Sequence, residues 1–188
     1  MFKGIVIFVF ALAFQGCLAD APTSQVACGE TPNAVFQCLG TPRLISTDIL
    51  KKCTHHASEC DKMKCVFRES GWMNGETVDK KKVSDRFEQF AADHPAWAPA
   101  VHHLKAACVG DHDLPAQGPY IGCPAFDVMH CITTSFIKNA TPSQWKATAT
   151  CQYPRSFAAA CPVCPTDCFA PQVPYGTCNA CLALPRSA

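Results

Sequence analysis

Apolar residues recur with a helical period over the stretch from Cys60 to Cys151, and no part of it alternates as a half-buried strand would. The clearest pattern follows Asp79. Val83, Phe87, Phe90 and Ala91 fall at i, i+4, i+7 and i+8, leaving Lys80, Lys81, Asp85, Arg86 and Glu88 for solvent. Asp79 is placed to cap this helix and Pro95 to stop it. The next helix holds Pro99 in its first turn, carries Trp97, Val101, Leu104 and Cys108 along one stripe, and ends at Gly110. Upstream, Ser46 or Thr47 caps a helix with Ile49, Leu50, Cys53 and Ala57. Ser58, with Asp61 three residues on, then resembles a capping box. It opens a second helix in which Cys60, Met63 and Phe67 share a face until Gly71, and Asn74-Gly75 marks the turn that follows. Downstream, residues 111–122 read as loop. Pro124 starts a helix carrying Phe126, Met129, Ile132 or Thr133, and Phe136, and Thr141-Pro142 starts a short one containing Trp145. The expected fold is all-α, with one helical domain over residues 46–150.

The two ends differ from this middle. Residues 20–45 are expected to form an irregular arm, because Pro22, Gly29, Pro32, Gly40 and Pro42 break any period, while Cys28 and Cys38 can pin the segment down. After Cys151, the cysteines Cys161, Cys164, Cys168, Cys178 and Cys181 alternate with Pro162, Pro165, Pro171, Pro174 and Pro185. Residues 151–188 are therefore expected to be an extension held by cross-links rather than by helix packing. At the start, Lys3, an apolar run over residues 5–14 and Cys17-Leu18-Ala19 have the layout of a signal peptide over residues 1–19, cut after Ala19. The run is shorter than the roughly 20 residues a membrane span needs. The mature chain is expected to be secreted, with no membrane insertion.

Export decides how the cysteines are read. Of 15, Cys17 leaves with the leader, so 15 − 1 = 14 remain, an even number in an oxidising compartment. Cys53, Cys60, Cys65, Cys108, Cys123, Cys131 and Cys151 join those of the arm and tail as expected disulfide partners. The formal net charge of +1 argues against nucleic acid. In the tail, Cys161-x2-Cys164 and Cys178-x2-Cys181 lie close to the spacing of a four-thiolate zinc ribbon. The expected oxidation and the intervening Cys168 favour disulfides, so neither metal nor cofactor is expected. A redox role for Cys161 and Cys164 would need a βαβ setting that the pattern lacks.

Catalysis is not expected either. Asp111-His112-Asp113 sets carboxylates beside an imidazole in a loop without a nucleophile, and the Cys-Cys-x-x-His-Asp run and glycine-rich calcium loop of a phospholipase A2 are missing. Adjacent histidines (His55-His56, His102-His103) point about 100° apart on a helix and do not chelate as a pair. The histidines read first as surface imidazoles; the sharper alternative is that some near a cavity charge as pH falls through about 6–7, loosen the shell and release a guest. Asn139-Ala140-Thr141 is a glycosylation acceptor by pattern, followed by Pro142. The aromatic and aliphatic stripe of Phe67, Phe87, Phe90, Trp97, Val101 and Leu104 continues through Phe126, Met129 and Phe136, and is expected to line an apolar pocket between helices. Tyr120, Thr133 or a histidine would orient the guest. The competing readings are a cysteine-rich structural or defence protein with a filled core, and a zinc module in the tail.

Taken together, these residues resemble an insect odorant-binding protein of the cysteine-enriched Plus-C subgroup, over roughly Cys38 to Cys161. The likeness lies in Cys38-x3-Pro42-Arg43-Leu44 leading to Ile49-Leu50-Lys51-Lys52-Cys53, then in Cys65-Val66-Phe67 with Gly71, Asn74-Gly75 and Asp79. It continues through Cys108, Cys123, Cys131, Phe136, Asn139, Pro142, Trp145 and Cys151 to Cys161-Pro162. The resemblance implies an all-helical carrier that encloses a small hydrophobic molecule, odorant or pheromone-like, and hands it to a membrane receptor in olfaction. It also implies pairing of the first cysteine with the third and the second with the fifth. With Cys60 second and Cys65 third, Cys65 would bond to Cys38 or Cys53. The fifth is Cys123, or Cys131 in the register that also explains Pro142, Trp145 and Cys151, which is the preferred one. The partner of Cys108 stays open. Four residues rather than three separate Cys60 from Cys65, so keeping both bonds would need a distorted helix. The tail from Cys164 to Cys181 exceeds the subgroup's usual complement.

Overall fold

The computed structural model of the 188-residue chain describes residues 26–120 and 122–165. The expected signal peptide, the start of the arm, and Cys168, Cys178 and Cys181 lie outside the described residues. Within them the chain forms α1 (Asn33–Cys38), α2 (Thr47–Lys52), α3 (Glu59–Glu69), β1 (Met73–Asn74), β2 (Thr77–Val78), α4 (Lys80–Asp93), α5 (Ala98–Ala107), α6 (Pro124–Lys138) and α7 (Gln152–Ala160). Short 3-10 turns cover Pro95–Trp97, Pro142–Gln144 and Ala149–Cys151. The mostly helical fold is as expected.

Local chemistry sets the helix starts. Ser46 accepts the Ile49 N–H at 3.3 Å, Ser58 that of Asp61 at 3.1 Å, and Asp79 that of Lys82 at 3.1 Å, each filling an amide that the first turn leaves without a helical partner. Pro99 and Pro124 stand in the first turns of α5 and α6, where a missing N–H costs nothing. The 3-10 turn at Pro142 carries a capping box between Thr141 and Gln144.

The molecule is assembled around α6. Nine of its fifteen residues are buried, more than the single stripe of a surface helix, because α3 and α5 flank it and α7 and β2 reach its ends. On one side Phe136 meets Phe87, Phe90 and Trp97, with ring centroids 5.3–6.1 Å apart. Phe67, Leu104 and Ile132 complete this interior with no measurable exposure. Fully burying such a side chain contributes about 1.5–3 kcal/mol.

Four expectations are corrected. The arm is not wholly irregular, since α1 forms behind Pro32 and buries Val35. The extension does not begin at 151: α7 is a helix that buries Phe157 and packs against α1 and α6. Its Pro154 lies in the first turn, where no intrahelical N–H is required, so a proline that reads as a breaker is tolerated. The helix from Thr47 ends at Lys52, short of Ala57. A two-residue antiparallel ribbon, Met73 opposite Val78, closes around Asn74-Gly75, with Gly75 at φ 61°. It supports Trp72, which no period marked. Gly71 at φ 74° reverses the chain, and Trp72 then stands edge-on to Phe67 at 5.2 Å.

Disulfides join Cys28 to Cys161, Cys38 to Cys151, Cys53 to Cys65, Cys60 to Cys123 and Cys108 to Cys131, and Cys164 is bonded as well. Cys65 thus pairs with Cys53, one of its two expected partners. The preferred register is overturned, because Cys60 bonds Cys123 rather than Cys131, which takes the open position opposite Cys108. No helix distortion is needed. Cys60 and Cys65 lie about 140° apart around a continuous α3 and so face different neighbours, α6 and the end of α2.

Candidate ligand-binding groove

Along one side of α6, Phe126, Met129, His130, Thr133, Phe136 and Ile137 follow at i, i+3, i+4, i+7, i+10 and i+11, the spacing of a single helix face. Two clefts open on that face and share Thr133. One, of about 140 Å³, lies between α6 and α3, where Glu59 and Met63 oppose Phe126, Met129 and His130. The other, of about 330 Å³, is walled by Phe36, Leu39, Pro42 and Leu44 and floored by Phe136 and Ile137. From Phe126 to Ile137 the face runs for about 16 Å at 1.5 Å per residue. Phe36 is 52% exposed at the rim, although Val35 beside it is fully buried.

Polar groups are few on this face, and each is oriented. The Thr133 hydroxyl donates to the Met129 carbonyl at 3.0 Å, which leaves its oxygen as an acceptor toward the groove. His130 Nε2 lies 3.1 Å from the Val163 carbonyl, so this nitrogen carries the proton and donates. Burial pushes the His130 pKa below its ordinary value, and the bond to Val163 opposes that shift. Its ring lies parallel to that of Phe126, 6.3 Å away. Phe126 also rests on Gly118, where a Cβ would come within 2.3 Å of the ring, and meets Tyr120 edge-on at 5.0 Å.

The expected pocket residues therefore divide. Phe126, Met129 and Phe136 reach the groove. Phe67, Phe87, Phe90, Trp97, Val101 and Leu104 are buried in the packed interior and form none of its wall. Thr133 and His130 stand at the groove, and Tyr120 contacts it through Phe126. The walls from α1 and from residues 39–44 were not foreseen, because an exposed phenylalanine and a proline loop carry no period; their signal was the apolar character of Phe36, Leu39 and Leu44 between breakers. A larger cleft, about 410 Å³, lies between β2 and the start of α6. Its lining is largely apolar through Val78, Leu114, Pro124 and Val128, but Lys80, Asp113 and the buried Asp127 bring charged groups into it, which suit an apolar guest less well.

Other chemistry read from the sequence resolves as follows. Cys161 and Cys164 are both disulfide-bonded, so neither is a free thiolate for a zinc ribbon. Cys53, His56 and Cys65 lie close together, but the two sulfurs are bonded to each other. In the loop after α5, the Lys80 ammonium donates to the carbonyls of Gly110 at 2.9 Å and His112 at 2.6 Å, so Asp111-His112-Asp113 is tied to the helix end. A serine and a histidine do meet elsewhere, Ser135 Oγ lying 3.0 Å from His103 Nδ1. The serine proton is already given to the Cys131 carbonyl at 2.9 Å and its side chain is 1% exposed, so His103 donates to it and no nucleophile is formed. Asn139 ends α6, with Nδ2 donating to the Ser135 carbonyl at 2.8 Å.

Among the described residues, no helix is long and apolar enough to cross a membrane. No protein-family model matches the chain, and no curated protein matches it.

Proposed function

We propose that the protein is a secreted, disulfide-braced carrier of a small hydrophobic ligand, odorant or pheromone-like, held against the α6 face without chemistry. The observation that carries this reading is the groove itself: Met63, Met129, Phe126, Phe136 and Leu44 line two adjoining clefts along one face of α6. A guest seated there gains about 25 cal/mol for each Å² of apolar surface taken out of water. Thr133 and His130 would orient a hydroxyl or carbonyl. The order of the disulfides supports the resemblance to a Plus-C odorant-binding protein. Counting Cys53, Cys60, Cys65, Cys108, Cys123 and Cys131 as six, the first pairs with the third and the second with the fifth. A receptor that reads the loaded carrier belongs to the same proposal.

The second reading, a cysteine-rich scaffold with a filled interior, is favoured by the ring-to-ring packing of Phe87, Phe90, Trp97 and Phe136. A naphthylamine probe whose emission rises in apolar surroundings separates the two. The carrier is expected to bind the probe and lose it to fatty alcohols or aldehydes. Met129→Arg, which places a charge in the groove, should weaken the probe about tenfold or more. Phe90→Leu, on the packed side, should leave its affinity within about twofold. A probe that finds no site, or that ignores Met129→Arg, speaks for the scaffold.

A further inference from the structure

Beyond the groove, a separate cleft of about 220 Å³ lies between the end of α6 and α7. Its wall is apolar where Ile137, Pro142, Trp145 and Ala158 meet, and two cations, Lys138 and Arg155, stand in it with no carboxylate among the described residues. This follows from a charge asymmetry in the chain: no aspartate or glutamate occurs from Val128 to Pro165, whereas Lys138, Lys146 and Arg155 do. Backbone divides the cleft from the α6 groove. Leu39 bridges to Trp145, the Gly40 N–H donates to the Gln144 carbonyl at 2.8 Å, and the Lys146 N–H donates to the Cys38 carbonyl at 2.9 Å.

We infer that this cleft is a second binding site, for a single-chain amphiphile with a carboxylate head, whose head meets Lys138 and Arg155 while its chain lies on Trp145 and Ile137. Lys138 is held in place for this. Its ammonium donates to the Ala158 carbonyl at 2.6 Å and to that of Cys161, leaving one of its three protons for a ligand. Both bonds go to carbonyls and none to a carboxylate, so among the described residues the charge has no counter-ion. Desolvation pushes the lysine pKa down, and a bound carboxylate would supply the opposite charge that offsets it. Arg155 is exposed and makes no hydrogen bond or ion pair among the described residues, so its planar fork is free for an anion. An uncharged amphiphile has the same apolar wall available but nothing to satisfy the two cations.

The test uses the oxidised secreted protein, titrated with decanoate and with decan-1-ol near neutral pH and followed by amide and indole signals in ¹H–¹⁵N NMR. Decanoate should move the signals of Lys138, of the Trp145 indole and of Arg155 to Ala159, with an affinity there about tenfold above that of decanol. Arg155→Gln should abolish that preference while leaving decanol unchanged, and Ala159→Trp should weaken both by filling the cleft. Signals that move only around Met129 and Thr133, or an Arg155→Gln variant that keeps the full preference for decanoate, would overturn the site. Binding to vesicles containing anionic lipid with none to free decanoate would overturn it as well, in favour of a membrane surface. Ile137 lines both clefts, but Lys138, Trp145 and Arg155 line only this one, so a failed probe in the α6 groove leaves this result readable.

Discussion

His130 stands where the groove meets the segment after α7, and its surroundings give it a signed pH effect. Burial holds the imidazole below its ordinary value of 6.5, with the bond to Val163 acting in the other direction. Between the folded value and 6.5 the unfolded chain therefore binds more protons than the native one. The stabilisation from keeping His130 neutral is fully present above about 6.5 and is lost as pH falls through the window below it. Glu59, which shares the cleft, is the acidic group that faces it. Urea midpoints measured from neutral to mildly acid pH should fall for the native chain, and His130→Gln, which keeps a donor for the Val163 carbonyl, should flatten that fall. Probe affinity in the groove should decline over the same interval. A pH dependence that His130→Gln leaves intact would assign the effect to another group.

Two neighbours on α6 show what separates core from site at the scale of an element. Ile132 is fully buried and Thr133 half-buried, about 100° further round the helix and facing the groove. Ile132→Ala should cost about 2–5 kcal/mol of unfolding free energy, because the surrounding helices cannot close on the gap. Thr133→Ala should stay within about 1 kcal/mol and act on ligand affinity instead. Denaturant unfolding and probe titration of the two variants check the contrast, and equal stability losses would remove it. This division was half legible in the sequence. The spacing of Phe126, Met129, Ile132 and Phe136 declares a helix and its caps declare where it starts, since both are local. Which part of that wide apolar surface stays open depends on what packs against it. Phe87, Phe90 and Trp97 closed one side, whereas α3, α1 and the turn at Pro42 approach the other without filling it, and their positions come from distant partners. α7 was hidden for a related reason: its proline sits where a helix tolerates it, and its alanines carry no stripe. Spacing of cysteines constrains pairing too weakly to select Cys123 over Cys131 as the partner of Cys60.

At the scale of the molecule, the disulfides divide the work between closing the ends and bracing the helices. Cys28–Cys161 and Cys38–Cys151 span 133 and 113 residues and fasten α1 to α7, whereas Cys53–Cys65 spans 12 and joins α2 to α3. In the chain-entropy account, a cross-link restricts the unfolded chain more as the loop it closes grows. With Cys28–Cys161 intact, the loop that Cys38–Cys151 closes is only about 20 residues, those from 28 to 38 and from 151 to 161, so removing either bridge should cost about 3 kcal/mol. Cys38, Cys53 and Cys151 are buried and Cys65 is half-buried, so the polar cost of replacing either pair with serines is of similar size. The functional consequence is more unequal than the thermodynamic one. Cys38 ends α1, next to the Leu39 wall of the groove, and the neighbouring bridge from Leu39 to Trp145 divides the groove from the cationic cleft. Cys38→Ser with Cys151→Ser should therefore lower probe binding and decanoate binding together, at temperatures where the chain is still folded by far-ultraviolet circular dichroism. Cys53→Ser with Cys65→Ser should lose stability while keeping both sites. Unfolding and titration of the two double variants decide it, and a Cys38–Cys151 variant that binds both ligands normally would show that the helix packing alone holds α1 against α6.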